Sequence, residues 1–98
     1  MVDKLNALVL NQLDQVGVAL EGLRVGDEAI YQINGQNYKV KVVKDVPIYH
    51  KFSLIDIEAG DLIRKYGQVI GRATQPIKNG EHVHEHNLVS TIEVKEGD

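Results

Sequence analysis

The chain has 98 residues, a length that predicts one small domain with no room for separate catalytic and regulatory domains. Hydrophobic residues make up 43% and charged residues 26% of the sequence, as in globular domains rather than fibres or disordered tails. Because cysteine is absent, disulfides, thiol nucleophiles and cysteine-ligated metals are excluded. A net charge of −3 gives no reason to expect nucleic acid or a membrane as a partner. The lack of a long apolar run and of a signal peptide predicts a cytoplasmic protein.

The chain is predicted to form a single domain over residues 1–98, with an extension at its beginning and a tail at its end. Residues 1–13 form a predicted N-terminal extension. The spacing of apolar residues over 5–13 is compatible with a short amphipathic helix or with a strand. The strand is favoured because a second apolar run follows directly. Residues 93–98 are polar and are predicted to form a frayed tail.

A β-hairpin is predicted over residues 28–44. Apolar and polar residues alternate over 28–33 and again over 38–44, and Asn34 and Gly35 lie between the two runs. Asn-Gly is the strongest short hairpin signal, because both residues tolerate the positive φ of a type I′ turn.

Glycine turns recur at residues 23–27, 57–61 and 77–81. Each has the form apolar, polar, any residue, glycine, acid, which predicts a tight turn just before a strand. Short strands split by glycine are predicted over residues 62–74, and the capping pattern over 53–58 favours one helical turn. The chain is therefore predicted to be mainly β, with short strands that fold back repeatedly and one or two short helical turns.

Three of the four histidines lie close together, at His82, His84 and His86. Residues 82–88 alternate like a strand, which predicts the three imidazoles on one face at intervals of about 7 Å. Two such imidazoles can bind one metal ion or donate together to an anionic oxygen. The alternative is a solvated strand face that happens to be rich in histidine. Three histidines within five residues favour the functional interpretation.

Two shorter motifs add nitrogen donors. His50 and Lys51 follow a proline that rigidifies the approach to a strand. Lys65, Tyr66 and Gly67 form the second motif, in which glycine either lets a backbone N–H group approach a ligand or only permits a turn. Each motif alone is a weak indication of function, because exposed lysine and histidine are common.

Taken together, residues 45–51, 65–74 and 80–88 resemble the SAF-type N-terminal module of the altronate and galactarate dehydratases, whose relatives include the small subunit of sulfolactate sulfo-lyase. The resemblance extends from about residue 14 to residue 88. It implies a β-clip fold that is fused to, or pairs with, a much larger catalytic domain. It also implies a lyase that removes water or sulfite from a hydroxy acid, generally with a divalent metal such as Fe²⁺.

The motifs of the family fall on defined positions of this chain. The resemblance implies six substrate-binding residues: His50, Lys51, Lys65, Tyr66, Gly67 and Asn87. His84, His86 and Asn87 match the family's His-x-His-Asn motif, in which His84 and His86 are candidate ligands of a metal or of the substrate, and His82 is a weaker candidate because the family varies at that position. Tyr49 departs from the glycine expected before the histidine. No residue is assigned as the catalytic acid or base.

Elimination of water β to a carboxylate needs a base for the α proton, an acid for the leaving hydroxyl and cations that hold the carboxylate. Lysines and histidines can supply the cations, whereas 98 residues hardly provide a deep pocket. The chain is therefore predicted to be the small subunit of a hydro-lyase acting on a sugar acid such as altronate, inactive without a large catalytic subunit. The alternatives are a sulfolactate sulfo-lyase small subunit and a non-catalytic module that binds a sugar acid or a metal. An uncovered partner surface also favours a homo-oligomer.

Overall fold

The computed structural model describes residues 4–90, which form nine β-strands and no helix. The strands are β1 (Ala7–Leu8), β2 (Val16–Ala19), β3 (Glu28–Ile33), β4 (Gln36–Lys41), β5 (Lys51–Ser53), β6 (Leu62–Lys65), β7 (Gln68–Ala73), β8 (His82–Val83) and β9 (Leu88–Ser90). They form three antiparallel sheets, in the orders β1-β2-β5-β8, β3-β4 and β6-β7-β9. The prediction of a mainly β chain of short strands is confirmed. The predicted frayed tail at residues 93–98 lies outside the described residues.

The segment predicted as an N-terminal extension contributes β1, so the strand interpretation of residues 5–13 is confirmed for Ala7–Leu8. β1 pairs with β2, and Ala7 and Val9 are buried in the core. The Asn6 side chain accepts a hydrogen bond from the backbone N–H of Ile30 at 2.7 Å, which connects this segment to β3.

Within residues 4–90, no helix has the length and hydrophobicity that a membrane crossing needs.

The helical turn predicted at residues 53–58 is wrong. Ser53 is the last residue of β5, and Ile57 forms an antiparallel bridge with Ile77, with N–H···O bonds of 2.8 Å in both directions. Both isoleucines are buried. The long-range pairing and burial of these side chains therefore outweigh the local capping pattern.

Two hairpins use the same kind of two-residue turn. Asn34 and Gly35 join β3 to β4 with φ angles of 52° and 80°, so the predicted hairpin is confirmed. Tyr66 and Gly67 join β6 to β7 with φ angles of 56° and 76°. The strands predicted over residues 62–74 are thus the two arms of a second hairpin.

The three predicted glycine turns, at residues 23–27, 57–61 and 77–81, are confirmed and share one hydrogen-bond pattern. In each, the acidic side chain at the end accepts the backbone N–H of the residue after the apolar one, at 2.8 to 3.1 Å. Their glycines have φ angles between 88° and 95°, a region that other residues seldom adopt.

Residues 46–50 form a fourth turn of this kind, which the glycine pattern could not reveal. Tyr49 stands at the glycine position with a φ of 69°, and His50 stands at the position of the acid. The His50 N–H donates to the Pro47 carbonyl at 3.0 Å, as the acidic residues do in the other turns. The departure from glycine at Tyr49 therefore leaves the shape of the loop unchanged, and it places a bulky side chain in a left-handed conformation.

The four turns pair in twos and divide the domain into two similar halves. The turn at 23–27 bridges the turn at 46–50, and the turn at 57–61 bridges the turn at 77–81. A hairpin lies between the two turns of each pair, β3-β4 in the first half and β6-β7 in the second. β5 follows the first pair and β8 follows the second, and these two strands pair with each other. The pairing is antiparallel and places Phe52 opposite His82 and Lys51 opposite Val83 at the junction of the halves.

The core has two hydrophobic clusters, which follow this division. The first contains ten buried residues between Ala7 and Phe52, and the second contains six, five of them between Ile57 and Val83. Phe52 of β5 and Val83 of β8 are both 0% exposed. Phe52 belongs to the first cluster and Val83 to the second, so burial in both clusters anchors the β5-β8 pair.

Candidate functional site

The loop that carries three of the histidines is shaped by Asn87. The single alternating strand predicted over residues 82–88 is wrong, because a turn at 84–87 separates β8 from β9. The Asn87 side chain is fully buried; its Oδ1 accepts the His84 N–H and its Nδ2 donates to the His82 carbonyl, each at 2.9 Å. A side-chain amide that bonds to nearby backbone groups offers the chain an alternative to a strand ladder. The histidines are therefore gathered by a turn.

His50, His82 and His84 form what we term the three-histidine cluster. His50 precedes β5 and His82 begins β8, so the pairing of these strands brings their rings together. His50 Nδ1 and His82 Nε2 lie 2.9 Å apart, with one ring donating and the other accepting. One nitrogen from each of the three half-buried rings lies within 4.8 Å of the others. Three imidazole nitrogens at this spacing can bind one transition metal ion.

His86 lies beside the three-histidine cluster, and its exposed ring is centred 5.3 Å from that of His82. The metal pair predicted from the sequence, His84 and His86, is thus divided between the cluster and its edge. His82, the weaker candidate, and His50, predicted to bind substrate, complete the cluster instead. The spacing of His82 and His84 was a usable signal. The contribution of His50 had no local signal, because it depends on the pairing of β5 with β8.

The electrostatic surroundings keep His82 neutral. Its pKa is lowered to about 4, first by burial and then by the positive charge that four neighbours can carry: His50, His86, His84 and Lys51. At pH 7 the ring therefore keeps a lone pair for a metal ion or a proton.

Lys51 and Lys65 add two ammonium groups to this region. The pKa of Lys51 is lowered by partial burial and by the charge of Lys65. The Lys65 Nζ lies 4.8 Å from the centre of the Tyr66 ring, a cation–π contact. Two cations that repel each other are stabilised by an anionic group that contacts both, such as a carboxylate.

The remaining predicted substrate-binding groups are partly used within the fold. The Gly67 N–H donates to Asp14 Oδ1 at 2.7 Å, and the Asn87 amide is committed to the histidine loop. Tyr66 is 44% exposed beside Lys65. Of the predicted substrate-binding residues, His50 thus joins the three-histidine cluster, whereas the Gly67 N–H and the Asn87 amide are hydrogen-bonded within the fold.

A cavity of about 440 Å³ opens next to the three-histidine cluster. Its lining includes four residues with ionisable side chains: Lys44, Asp45, His82 and His86. Asp45 Oδ1 accepts the Val25 N–H at 3.0 Å, so this carboxylate is already engaged by a turn. The remaining lining can hold an anion. Lys44 is not a candidate from the sequence alone, because nothing in its local pattern separates it from the other lysines of the hairpin.

Comparison with known proteins adds independent information. The profile of the altronate/galactarate dehydratase SAF domain matches residues 5–91. Altronate dehydratase of Escherichia coli (strain K12) is 42% identical over 83 residues, which are 85% of this chain and 16% of that protein. Altronate dehydratase of Bacillus subtilis (strain 168) is 35% identical over 83 residues, again 85% and 16%.

A third relative is matched over most of its length. The (2R)-sulfolactate sulfo-lyase subunit alpha of Chromohalobacter salexigens is 38% identical over 78 residues, which are 76% of this chain and 83% of that subunit. The chain therefore spans 16% of the altronate dehydratases and most of the sulfo-lyase subunit. The chain belongs to the SAF-domain family of the altronate and galactarate dehydratases.

Proposed function

We propose that this chain is the SAF subunit of a lyase that acts on a sugar acid such as altronate, and that it holds the anionic substrate for a separate large catalytic subunit. The observation that carries the proposal is the three-histidine cluster where the two halves join, with Lys51 directly after His50 in the chain and its charge acting on His82. The lyase class is supported by the relatives named altronate dehydratase, of which the matched region is 16%. A separate partner is supported by the relative named as a subunit alpha.

The positive groups around the three-histidine cluster suit an anionic hydroxy acid. Lys51 and Lys65 contact the carboxylate, and partial burial of Lys51 strengthens such an ion pair relative to one in open water. Lys44 and His86 line the adjoining cavity of about 440 Å³ and bind further oxygen atoms of the acid. This volume lies within the range of small-molecule sites.

The three-histidine cluster fits a divalent metal such as Fe²⁺, which the family resemblance implies. Imidazole is a side chain that iron accepts as a ligand, and three protein ligands is a common number in catalytic metal sites. His82 is neutral at pH 7, as a metal ligand must be. When bound, the metal would act as a Lewis acid that polarises an oxygen of the hydroxy acid.

The contribution of this chain to elimination is positional. The hydrogen bond between His50 and His82 uses one nitrogen of each ring and so orients the two rings relative to each other. Lys51 and Lys65 orient the carboxylate. We assign the base that removes the α proton to the large subunit, since elimination needs a base, an acid and cations together.

A reconstitution assay tests the proposal. Dehydration of altronate and galactarate is measured with this chain alone, with the large subunit alone and with both, and turnover is expected only in the mixture. Lys51→Gln should raise KM in the mixture at least about tenfold, as loss of a charge-assisted hydrogen bond predicts. Lys4→Gln, at an exposed position near the N-terminus, is the matched control and should leave KM unchanged. Turnover by this chain alone would refute the proposal.

A second substrate is favoured by one specific observation. The sulfolactate sulfo-lyase subunit is matched over 83% of its length, which makes sulfolactate the alternative acid. The same mixtures are therefore tested with (2R)-sulfolactate, with released sulfite as the readout. Sulfite release without dehydration of sugar acids would assign the chain to that lyase instead.

A further inference from the structure

Asp14 presents a buried carboxylate outside the three-histidine cluster. The residue is 7% exposed, and its Oδ1 accepts the Gly67 N–H at 2.7 Å. Its Oδ2 is buried and has no hydrogen-bond partner among the described residues. A carboxylate oxygen buried without a donor costs free energy, so its persistence calls for an explanation. One explanation is a hydrogen-bond donor that another molecule supplies to Oδ2, and the chemistry of the surrounding residues indicates what kind of donor it is.

A cavity of about 310 Å³ lies against Asp14 and has an aromatic wall. Tyr31 and Tyr38 face each other across β3 and β4, with ring centres 5.4 Å apart and planes inclined by 14°. Tyr31 is buried and Tyr38 is 38% exposed, so the ring pair runs from the core to the surface. Gln12 adds an amide to the same lining.

A carboxylate beside stacked aromatic rings selects an organic cation. The negative charge of Asp14 excludes an anion, and the aromatic faces attract a positive charge. A guanidinium group meets both requirements, because it donates several hydrogen bonds in one plane and also stacks on aromatic faces. An alkylammonium ion offers the charge but not the planar stacking surface.

The rim of the cavity resembles the centre of a protein interface. Ile55, which lines it, is 45% exposed, and Leu13, next to Asp14 in the chain, is 70% exposed. Tyrosine and arginine are among the residues that dominate binding at protein interfaces, where they lie in well-packed pockets that exclude water. The apolar rim therefore favours a side chain that arrives on a protein surface over a free metabolite.

We propose that this cavity receives an arginine side chain of the large catalytic subunit, whose guanidinium group donates to Asp14 Oδ2 and stacks on Tyr38. The identity of the partner rests on the function proposed above, whereas the recognition of a guanidinium group does not. The same carboxylate holds the turn of Tyr66 and Gly67 through Oδ1, and Lys65 directly precedes that turn. Docking of the arginine would thus stabilise the segment that presents Lys65.

The test uses the ¹⁵N-labelled full chain and Nα-acetyl-L-arginine methylamide, with the neutral citrulline analogue as the matched control. Saturable shifts of the Gly67 and Tyr31 amide signals are expected with the arginine probe, with a dissociation constant on the order of 1 mM. Asp14→Asn keeps an oxygen for the Gly67 N–H but replaces Oδ2, and it should weaken binding at least about tenfold. If that variant fails to fold, Tyr38→Leu tests the stacking contact and should weaken binding about threefold.

Four outcomes would overturn the proposal. They are the absence of a saturable shift, an equal response to the citrulline probe, unchanged binding in the folded variants, and the same shifts with sodium or magnesium chloride at matched ionic strength. Neither the large subunit nor a substrate is needed, so failure here is distinguishable from failure of the proposed lyase function.

Discussion

Asn87 positions His82 and His84 although its own side chain is fully buried. Its amide bonds to the backbone of both histidines, at 2.9 Å each, and so holds the turn between β8 and β9. This geometry supports a positioning role, which differs from the direct substrate contact that the family resemblance implied.

Asn87→Ala should therefore damage the fold and the three-histidine cluster together. The change leaves a backbone N–H and a carbonyl without their partner, which should lower the free energy of unfolding by about 2 to 4 kcal/mol. Metal affinity should fall at least about tenfold, as when an outer-shell partner is lost. Urea unfolding and metal titration are the measurements. Asn37→Ala, which removes only an exposed bond to Gln32, is the control and should cost about 0.5 kcal/mol or less. An Asn87 variant as stable as this control would contradict the positioning role.

At the residue scale, the sequence pointed to individual candidate side chains but not to the way in which they are grouped. The spacing of His82, His84 and His86 indicated a site, but a strand pattern cannot show that a buried asparagine folds the loop. His50 lies 32 residues from His82, so only tertiary structure reveals their hydrogen bond.

The turn at residues 77–81 is the element that positions β8 against the first half of the domain. Gly80 has a φ of 88°, and a Cβ atom there would lie 2.1 Å from the Lys41 carbonyl oxygen. The Val43 N–H donates to the Gly80 carbonyl at 3.0 Å. The turn therefore contacts the backbone after β4 directly, with no room for a side chain.

Gly80→Ala should lower the free energy of unfolding by about 3 kcal/mol or more, because backbone strain and a backbone clash add together. Gly26→Ala is the matched control. Gly26 has a similar φ of 95°, but a Cβ atom there would meet nothing within 4 Å, so this variant should lose only about 1 kcal/mol. Chemical denaturation of both variants separates the cost of the contact with the Lys41 backbone from the cost of the positive φ angle. Equal losses would show that the contact with Lys41 contributes nothing.

Elements whose turns have a local chemical signature were predictable, and the others were not. Asn34 and Gly35 indicate a hairpin because both residues accept positive φ. Tyrosine rarely adopts a positive φ, as Tyr66 does here, so the second hairpin could not be recognised from the sequence. The capping pattern over residues 53–58 is a local signature of a helical turn, but no such turn forms, because burial of Ile57 overrides the local preference.

At the scale of the whole molecule, the candidate site exists because two similar halves meet. Each half ends in a turn followed by a short strand, and the pairing of β5 with β8 places His50 beside His82. Sequence motifs were sufficient to indicate the family, which the profile match over residues 5–91 confirms. They could not show that the metal candidates come from both halves, because that arrangement depends on the register of β5 and β8.

The most direct test of this account is an anaerobic Fe²⁺ titration of the wild-type chain, His50→Ala and His86→Ala, with bound metal measured per chain. We predict one ion per wild-type chain, a loss of affinity of at least about tenfold in His50→Ala, and a change of less than about threefold in His86→Ala. Wild-type affinity in His50→Ala, together with loss of binding in His86→Ala, would contradict a metal site built from both halves of the domain.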